Sequence, residues 1–138
     1  MRPDRKICVV RARVDGGEWM QYRCDGLVVA TPVGSTGYAL SAGGPIISHE
    51  VPCLSLLPIC PHSFFNRALL SPRDVEIELE NVSDEVVSLM MDGREAYVLS
   101  PLERVTVRAS ARELKMISFS GSRMLSTLIE KMKRIEMI

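Results

Sequence analysis

The sequence predicts a mainly β fold: a two-layer, β-sandwich-like domain with a short helix after a glycine-rich loop and a helix at the C-terminus. Three observations carry this reading. Short β-branched or alternating runs recur along most of the chain, divided by Gly, Pro and Asp-Gly turn signals. Asp74 to Glu80 alternates strictly, with Val75, Ile77 and Leu79 on one face and acidic residues on the other. Helical spacing is clear only in the tail.

Taken in order, Ile7 to Val14 reads as a strand, Asp15-Gly16-Gly17 as a turn, and Glu18 to Cys24 as the returning strand of a hairpin. Leu27 to Thr31 is a short strand ending at Pro32. Ser35 to Ala42 fits a short helix that Gly43-Gly44-Pro45 stops. Leu54 to Ile59 is a strand stopped by Pro58 and Pro61. Val86 to Met91 reads as a buried strand, Asp92-Gly93 as a hairpin turn, and Ala96 to Leu99 as its return. Arg104 to Arg108 and Glu113 to Phe119 alternate, the former with Val105 and Val107 inward. From Met124, the positions Leu125, Leu128, Ile129, Met132 and Ile135 recur at helical spacing, with Ser120 or Ser122 as a cap.

The 138 residues fit one domain with one modest core. Seventeen basic residues balance seventeen acidic ones, so no net field favours a nucleic acid or an anionic membrane. No run approaches the ~20 apolar residues of a membrane span. Cys8, Cys24, Cys53 and Cys60 form no Cys-x-x-Cys pair, and His49 and His62 lack zinc-ligand spacing. They read as reduced, partly buried thiols of a cytoplasmic protein.

The run from Thr31 to Pro45 is where chemistry concentrates. Gly34 lets a ligand approach the main chain, and Ser35 and Thr36 offer hydroxyls and amides at a helix start, a place suited to phosphate or ribose oxygens. Tyr38 adds a flat ring with a polar tip. Asp25 heads an apolar strand, where a carboxylate can accept ribose hydroxyls. The same residues also fit a plain loop capped by Ser35, and Asp25-Gly26 a plain turn.

Asp25-Gly26-Leu27, Thr31 to Tyr38, Leu40 to Pro45 and Pro58-Ile59-Cys60-Pro61-His62-Ser63 together resemble the NAD kinase family, and Asp92-Gly93 matches a later turn of it. Two positions depart from the family's usual form: Val33 replaces a Thr or Ser, and Gly37 replaces an Ala. The resemblance implies a dinucleotide (NAD or NADP) site at Lys6, Arg23, Asp25, Thr36, Gly37, Tyr38, Ala39, Leu40, Ser41, Cys60 and Arg94. His62, beside Pro61, invites an acid–base reading, but a lone histidine there reads more readily as structural.

The family's Gly-Gly-Asp-Gly-Thr motif, whose Asp is implied in activating the acceptor hydroxyl, does not occur in this sequence. The expectation is that residues 1–138 form the C-terminal, NAD-binding domain of a longer enzyme and are inactive alone. The implied reaction moves the γ-phosphoryl group of ATP, or of polyphosphate in some members, to the 2′-hydroxyl of the adenosine ribose of NAD. Mg2+ or another divalent cation assists, with no metal site identifiable in this chain. The resemblance also implies a homodimer or homotetramer in which Asp25 and Cys60 serve a neighbour's site. A non-catalytic dinucleotide-binding module and a related lipid kinase are the alternatives.

Overall fold

The computed structural model describes residues 7–112, 115, 117 and 124–136. Nine strands and two helices make up those residues: β1 Cys8–Val14, β2 Met20–Cys24, β3 Gly26–Ala30, α1 Tyr38–Ser41, β4 Cys53–Ile59, β5 Leu69–Pro72, β6 Ile77–Asn81, β7 Val87–Met91, β8 Arg94–Leu99, β9 Arg104–Val107 and α2 Met124–Glu136. A four-stranded antiparallel sheet runs β2-β1-β6-β9, a three-stranded one β3-β4-β5, and β7-β8 stands as a separate ribbon. The mainly β, sandwich-like fold expected from the sequence is the fold observed.

The core lies between the two larger sheets. Val10 and Ala12 of β1, Tyr22 and Cys24 of β2, and Ile77 and Leu79 of β6 face Leu54 and Leu56 of β4, with Val75 closing the layer. Each side chain occupies the inward position of its strand's two-residue period. Full burial of a Leu or Ile contributes about 1.5–3 kcal/mol, so this seam is the main source of stability. Both expected hairpin turns form. Asp15 and Gly16 have φ of 47° and 68°, and Asp92 and Gly93 have 47° and 80°, the left-handed pair that a two-residue turn requires.

Four details differ from the expectation. The second strand starts at Met20 rather than Glu18, because Trp19 turns onto the outer face of the four-stranded sheet. There its ring stacks under the guanidinium groups of Arg11, Arg13 and Arg104 at 4.6, 4.5 and 5.5 Å. Glu80 is not exposed. It lies beneath this stack, 3% accessible, and accepts hydrogen bonds from Arg11 and Arg104. β4 runs through Pro58, which pairs with Leu27; β5 reaches only Cys53 to Leu56, so no ladder bond is lost on that side. Val86 to Met91 is not buried: Val86, Met90 and Met91 are exposed, since β7 pairs with β8 alone.

Val105 and Val107 face inward against the core. The tail helix forms, with Arg134 bonded to Glu130 at 3.1 Å. The strand expected over Glu113 to Phe119 and the caps at Ser120 and Ser122 fall largely or wholly outside the described residues.

Candidate functional site

β2 and β3 are separated by one residue, Asp25, and there the chain passes from one sheet to the other. Two strands from different sheets cannot continue in one line, so the crossover turns sharply and leaves Asp25 exposed. Its N–H donates to the carbonyl of Ile59 at 2.9 Å. Cys60, exposed with φ of 45°, turns the chain out of β4 beside it. His62 then donates its N–H to the carbonyl of Arg23 at 2.7 Å. Arg23, Asp25 and Cys60 therefore share one corner, and the His62 backbone fastens it.

Below this corner the thiols of Cys8 and Cys24 meet. Cys8 donates its S–H to the Cys24 carbonyl at 3.0 Å. A hydrogen bond with the Cys24 side chain favours the Cys8 thiolate and draws that thiol down to about 7, against burial, which opposes it. Cys24 moves up, because its proton is held by Cys8 and because it is buried.

The loop after β3 is built from within. The segment expected as one helix from Ser35 to Ala42 is two pieces: a 3-10 turn over Gly34–Thr36, and the single helical turn α1. Gly37, with φ of −93° and ψ of −131°, breaks it. Ser35 is 1% accessible, and its hydroxyl donates to the Pro32 carbonyl at 2.7 Å while accepting the Ile47 N–H at 3.1 Å. The hydroxyl that the sequence offers to a phosphate thus holds the loop closed instead. Thr36 donates to Val33 at 3.1 Å.

Gly44, read from the sequence as a helix stop, has a second reason to be glycine. A Cβ there would stand 2.7 Å from the Ala39 carbonyl oxygen and 2.9 Å from a Leu57 methyl. Its N–H donates to the same Ala39 carbonyl at 2.8 Å. These contacts pin α1 against β4. Ala39 is buried beneath the turn, whereas Gly37, Tyr38 and Ser41 face outward, Tyr38 being 67% accessible. Tyr38 and Ser41 thus offer an exposed ring and a hydroxyl beside Gly37, on backbone held from below.

The loop folds back so that Gly44 meets Leu57 of β4, two residues before Ile59, and both corner and loop adjoin β3. Asp25 precedes its first residue, and Gly34 packs against Ala30, its last. Arg94 belongs to neither group; it opens β8 at the hairpin turn. Lys6 lies outside the described residues. Among the described residues no three His, Cys, Asp or Glu side chains are grouped so as to hold a metal ion, so they do not fit a metal centre. No described helix is long and apolar enough to cross a membrane.

Residues 1–119 match the ATP-NAD kinase C-terminal domain family. An NAD kinase of Caldicellulosiruptor bescii is 38% identical over 136 residues, covering 92% of this chain and 52% of its own length. One from Ralstonia nicotianae is 40% identical over 119 residues, covering 86% and 39%. The chain therefore spans about half, or less, of the relatives it matches. Among solved structures, yeast NADH kinase complexed with NADH superposes with a TM-score of 0.71 at 36% identity, over 77% of this chain and 31% of that one. An Archaeoglobus fulgidus NAD kinase in complex with ATP gives 0.66 at 36%, over 80% and 42%. Motifs, fold and relatives agree: the chain belongs to the NAD kinase family, matching its C-terminal domain.

Proposed function

We propose that this chain is the dinucleotide-binding part of an NAD kinase that transfers the γ-phosphoryl group of ATP to the 2′-hydroxyl of the adenosine ribose of NAD, giving NADP. The observation that carries the reading is the loop from Thr31 to Pro45, clamped through Ser35 and Gly44 so that Gly37, Tyr38 and Ser41 face solvent. A preorganised backbone with an exposed ring and hydroxyl suits a ribose and its base, because little freedom remains to be lost on binding. The complexes of the two solved relatives, with NADH and with ATP, support it.

Phosphoryl transfer depends mostly on positioning and charge neutralisation. In this reading the chain positions the acceptor. Asp25 accepts ribose hydroxyls, Arg23 faces a phosphate, and Tyr38 packs on the base. Thr36, Gly37, Ala39, Leu40 and Ser41 shape the loop's side of the site, and Cys60 contributes a small side chain at the corner. Lys6 and Arg94 are carried as further contacts by resemblance alone. No residue here is assigned as the base that activates the hydroxyl; the Gly-Gly-Asp-Gly-Thr motif that bears it in the family is not in this sequence.

The family resemblance favours a site shared between copies, in which the Asp25–Cys60 corner of one subunit meets the Thr36–Ser41 loop of another. A symmetric dimer or tetramer provides that meeting. The deciding experiment for the activity is NADP formation from NAD and ATP, or polyphosphate, by the full-length protein and by the 138-residue chain alone. Activity only in the former is expected. NAD binding without phosphorylation by the full-length protein would leave a non-catalytic binding module.

A further inference from the structure

Cys8 and Cys24 stand directly opposite each other at the open end of the β1–β2 hairpin. Partners across an antiparallel ladder project to the same face, with Cα atoms about 4.5–5.5 Å apart, inside the range a disulfide spans. Both side chains point to the core side: Cys24 is fully buried and Cys8 packs against the same cluster while remaining partly accessible. The pair is thus one reachable sulfur backed by one protected sulfur. Cys53, also buried, and Cys60, exposed just after β4, have no such partner in register among the described residues.

We infer that Cys8 and Cys24 are a reversible disulfide site, oxidised by small-molecule disulfides of the glutathione class. Cys8 as thiolate attacks one sulfur of the small disulfide, forming a mixed disulfide and releasing one thiolate, which takes up a proton. Cys24 then loses its proton and attacks the Cys8 sulfur, forming the cross-strand bond and releasing the second small thiol. Two protein thiols are oxidised to one disulfide, and one small disulfide is reduced to two thiols. The roles are not interchangeable. Cys8 is the sulfur that a reagent can reach, and its lowered pKa raises the thiolate fraction near neutral pH. Cys24 is shielded from solvent and acts only from within.

The new bond ties the first residue of β1 to the last residue of β2, one residue before Asp25. It closes the hairpin covalently at its open end, which restrains the unfolded chain and raises the folded state's stability. The proposal is independent of what the corner binds.

The test uses the purified protein carrying Cys60→Ser, so that the exposed thiol does not react, incubated with oxidised glutathione. Intact mass and peptide mapping should show loss of two hydrogens and a Cys8–Cys24 crosslink without retained glutathione. The melting temperature should rise, and a reducing agent should reverse both changes. In the added background of Cys24→Ala, the glutathione should remain on Cys8 as a stable adduct; in that of Cys8→Ser, Cys24 should stay unmodified. Free thiols at both positions under conditions that glutathionylate Cys60 in the unsubstituted protein would overturn the proposal. So would a crosslink that forms only in denaturant. The unsubstituted-pair mapping stands alone if the Cys24→Ala protein fails to fold.

Discussion

The backbone N–H of His62 donates to the carbonyl of Arg23 at 2.7 Å, which ties the loop after β4 of the three-stranded sheet to β2 of the four-stranded one. With the Asp25–Ile59 bond at 2.9 Å, it makes a corner whose backbone is fastened at Arg23 and at Asp25 itself. The carboxylate of Asp25 is then held by rigid structure without being buried, and a ligand can reach it.

Asp25→Ala should therefore weaken NAD or NADP binding in the full-length protein far more than Asp84→Ala, an exposed turn carboxylate. A charge-assisted hydrogen bond is worth roughly 1.5–3 kcal/mol, or about tenfold to a hundredfold in Kd. Titration calorimetry measures both. Equal affinities for the two variants would remove Asp25 from the site.

Ser35→Ala should cost stability and affinity together. The variant loses the bond to Pro32 and leaves the N–H of Ile47, a residue 5% accessible, without its partner. A buried unsatisfied donor costs about 1–3 kcal/mol, to be read from urea denaturation. Dinucleotide affinity should fall with it, since the clamp sets the pose of Gly37 and Tyr38. Unchanged stability would show that the loop closes without this hydroxyl.

Gly44→Ala probes the same clamp from its other end. The added methyl meets a carbonyl oxygen of the backbone, which cannot swing aside as a side-chain tip can. Overpacking of this kind costs about 1–3 kcal/mol. Gly43→Ala makes the comparison: a Cβ there meets nothing within 4 Å, but φ of 87° strains any L side chain. Gly44→Ala should lift the α1 turn from β4 and reduce dinucleotide binding, whereas Gly43→Ala should lower stability by backbone strain alone. Equal binding by both would free the α1–β4 contact from any role in the site.

Glu80 gives stability a pH dependence. The hydrogen bond from Arg11, then that from Arg104, holds its carboxyl below the usual carboxylate range, against burial, which pushes it up. A carboxyl depressed in the folded state stabilises fully above its unfolded pKa, about 4.3, and the contribution is lost as pH falls through the folded value. Glu80→Gln should destabilise by roughly 1.5–3 kcal/mol near pH 7. Arg11 and Arg104 remain partly in solvent, which keeps the figure below that of a fully buried pair. The gap between wild type and Glu80→Gln should close as the pH drops below about 4. A gap constant from pH 7 to pH 3 would mean that packing, not charge, is what Glu80 supplies.

The sheet strands were legible because alternation and turn chemistry act locally. Asp15-Gly16 and Asp92-Gly93 dictate left-handed turns whatever surrounds them, and Val75, Ile77 and Leu79 have only one face to bury. Glu80 was not legible, since its burial is made by Trp19, Arg11 and Arg104 from three other segments. Nor was the exposure of β7: an apolar run marks a buried strand only when a second layer covers it, and pairing partners are set by the whole topology. At the site, the motif residues stood out by their unusual run. The inward use of Ser35 and the close approach at Gly44 depended on Ile47 and Leu57, which carry no signal of their own.

The shared site makes the most discriminating prediction. In a symmetric dimer with two sites, each built from one subunit's corner and the other's loop, Asp25→Ala damages the corner and Tyr38→Ala damages the loop. Each homodimer then carries two defective sites. Mixed at equal amounts and allowed to exchange, half the dimers are hybrids. In each hybrid the intact corner of the Tyr38→Ala subunit meets the intact loop of the Asp25→Ala subunit. One of its two sites is whole and the other doubly damaged, so about a quarter of the wild-type sites return. If a single chain formed its site alone, every subunit in the mixture would still lack one group and nothing would return. Calorimetric titration of the mixture with NADP, with each variant alone as reference, distinguishes the cases. Recovery of high-affinity sites on mixing is the expected result, and its absence under conditions where subunit exchange is demonstrated would refute sharing between subunits.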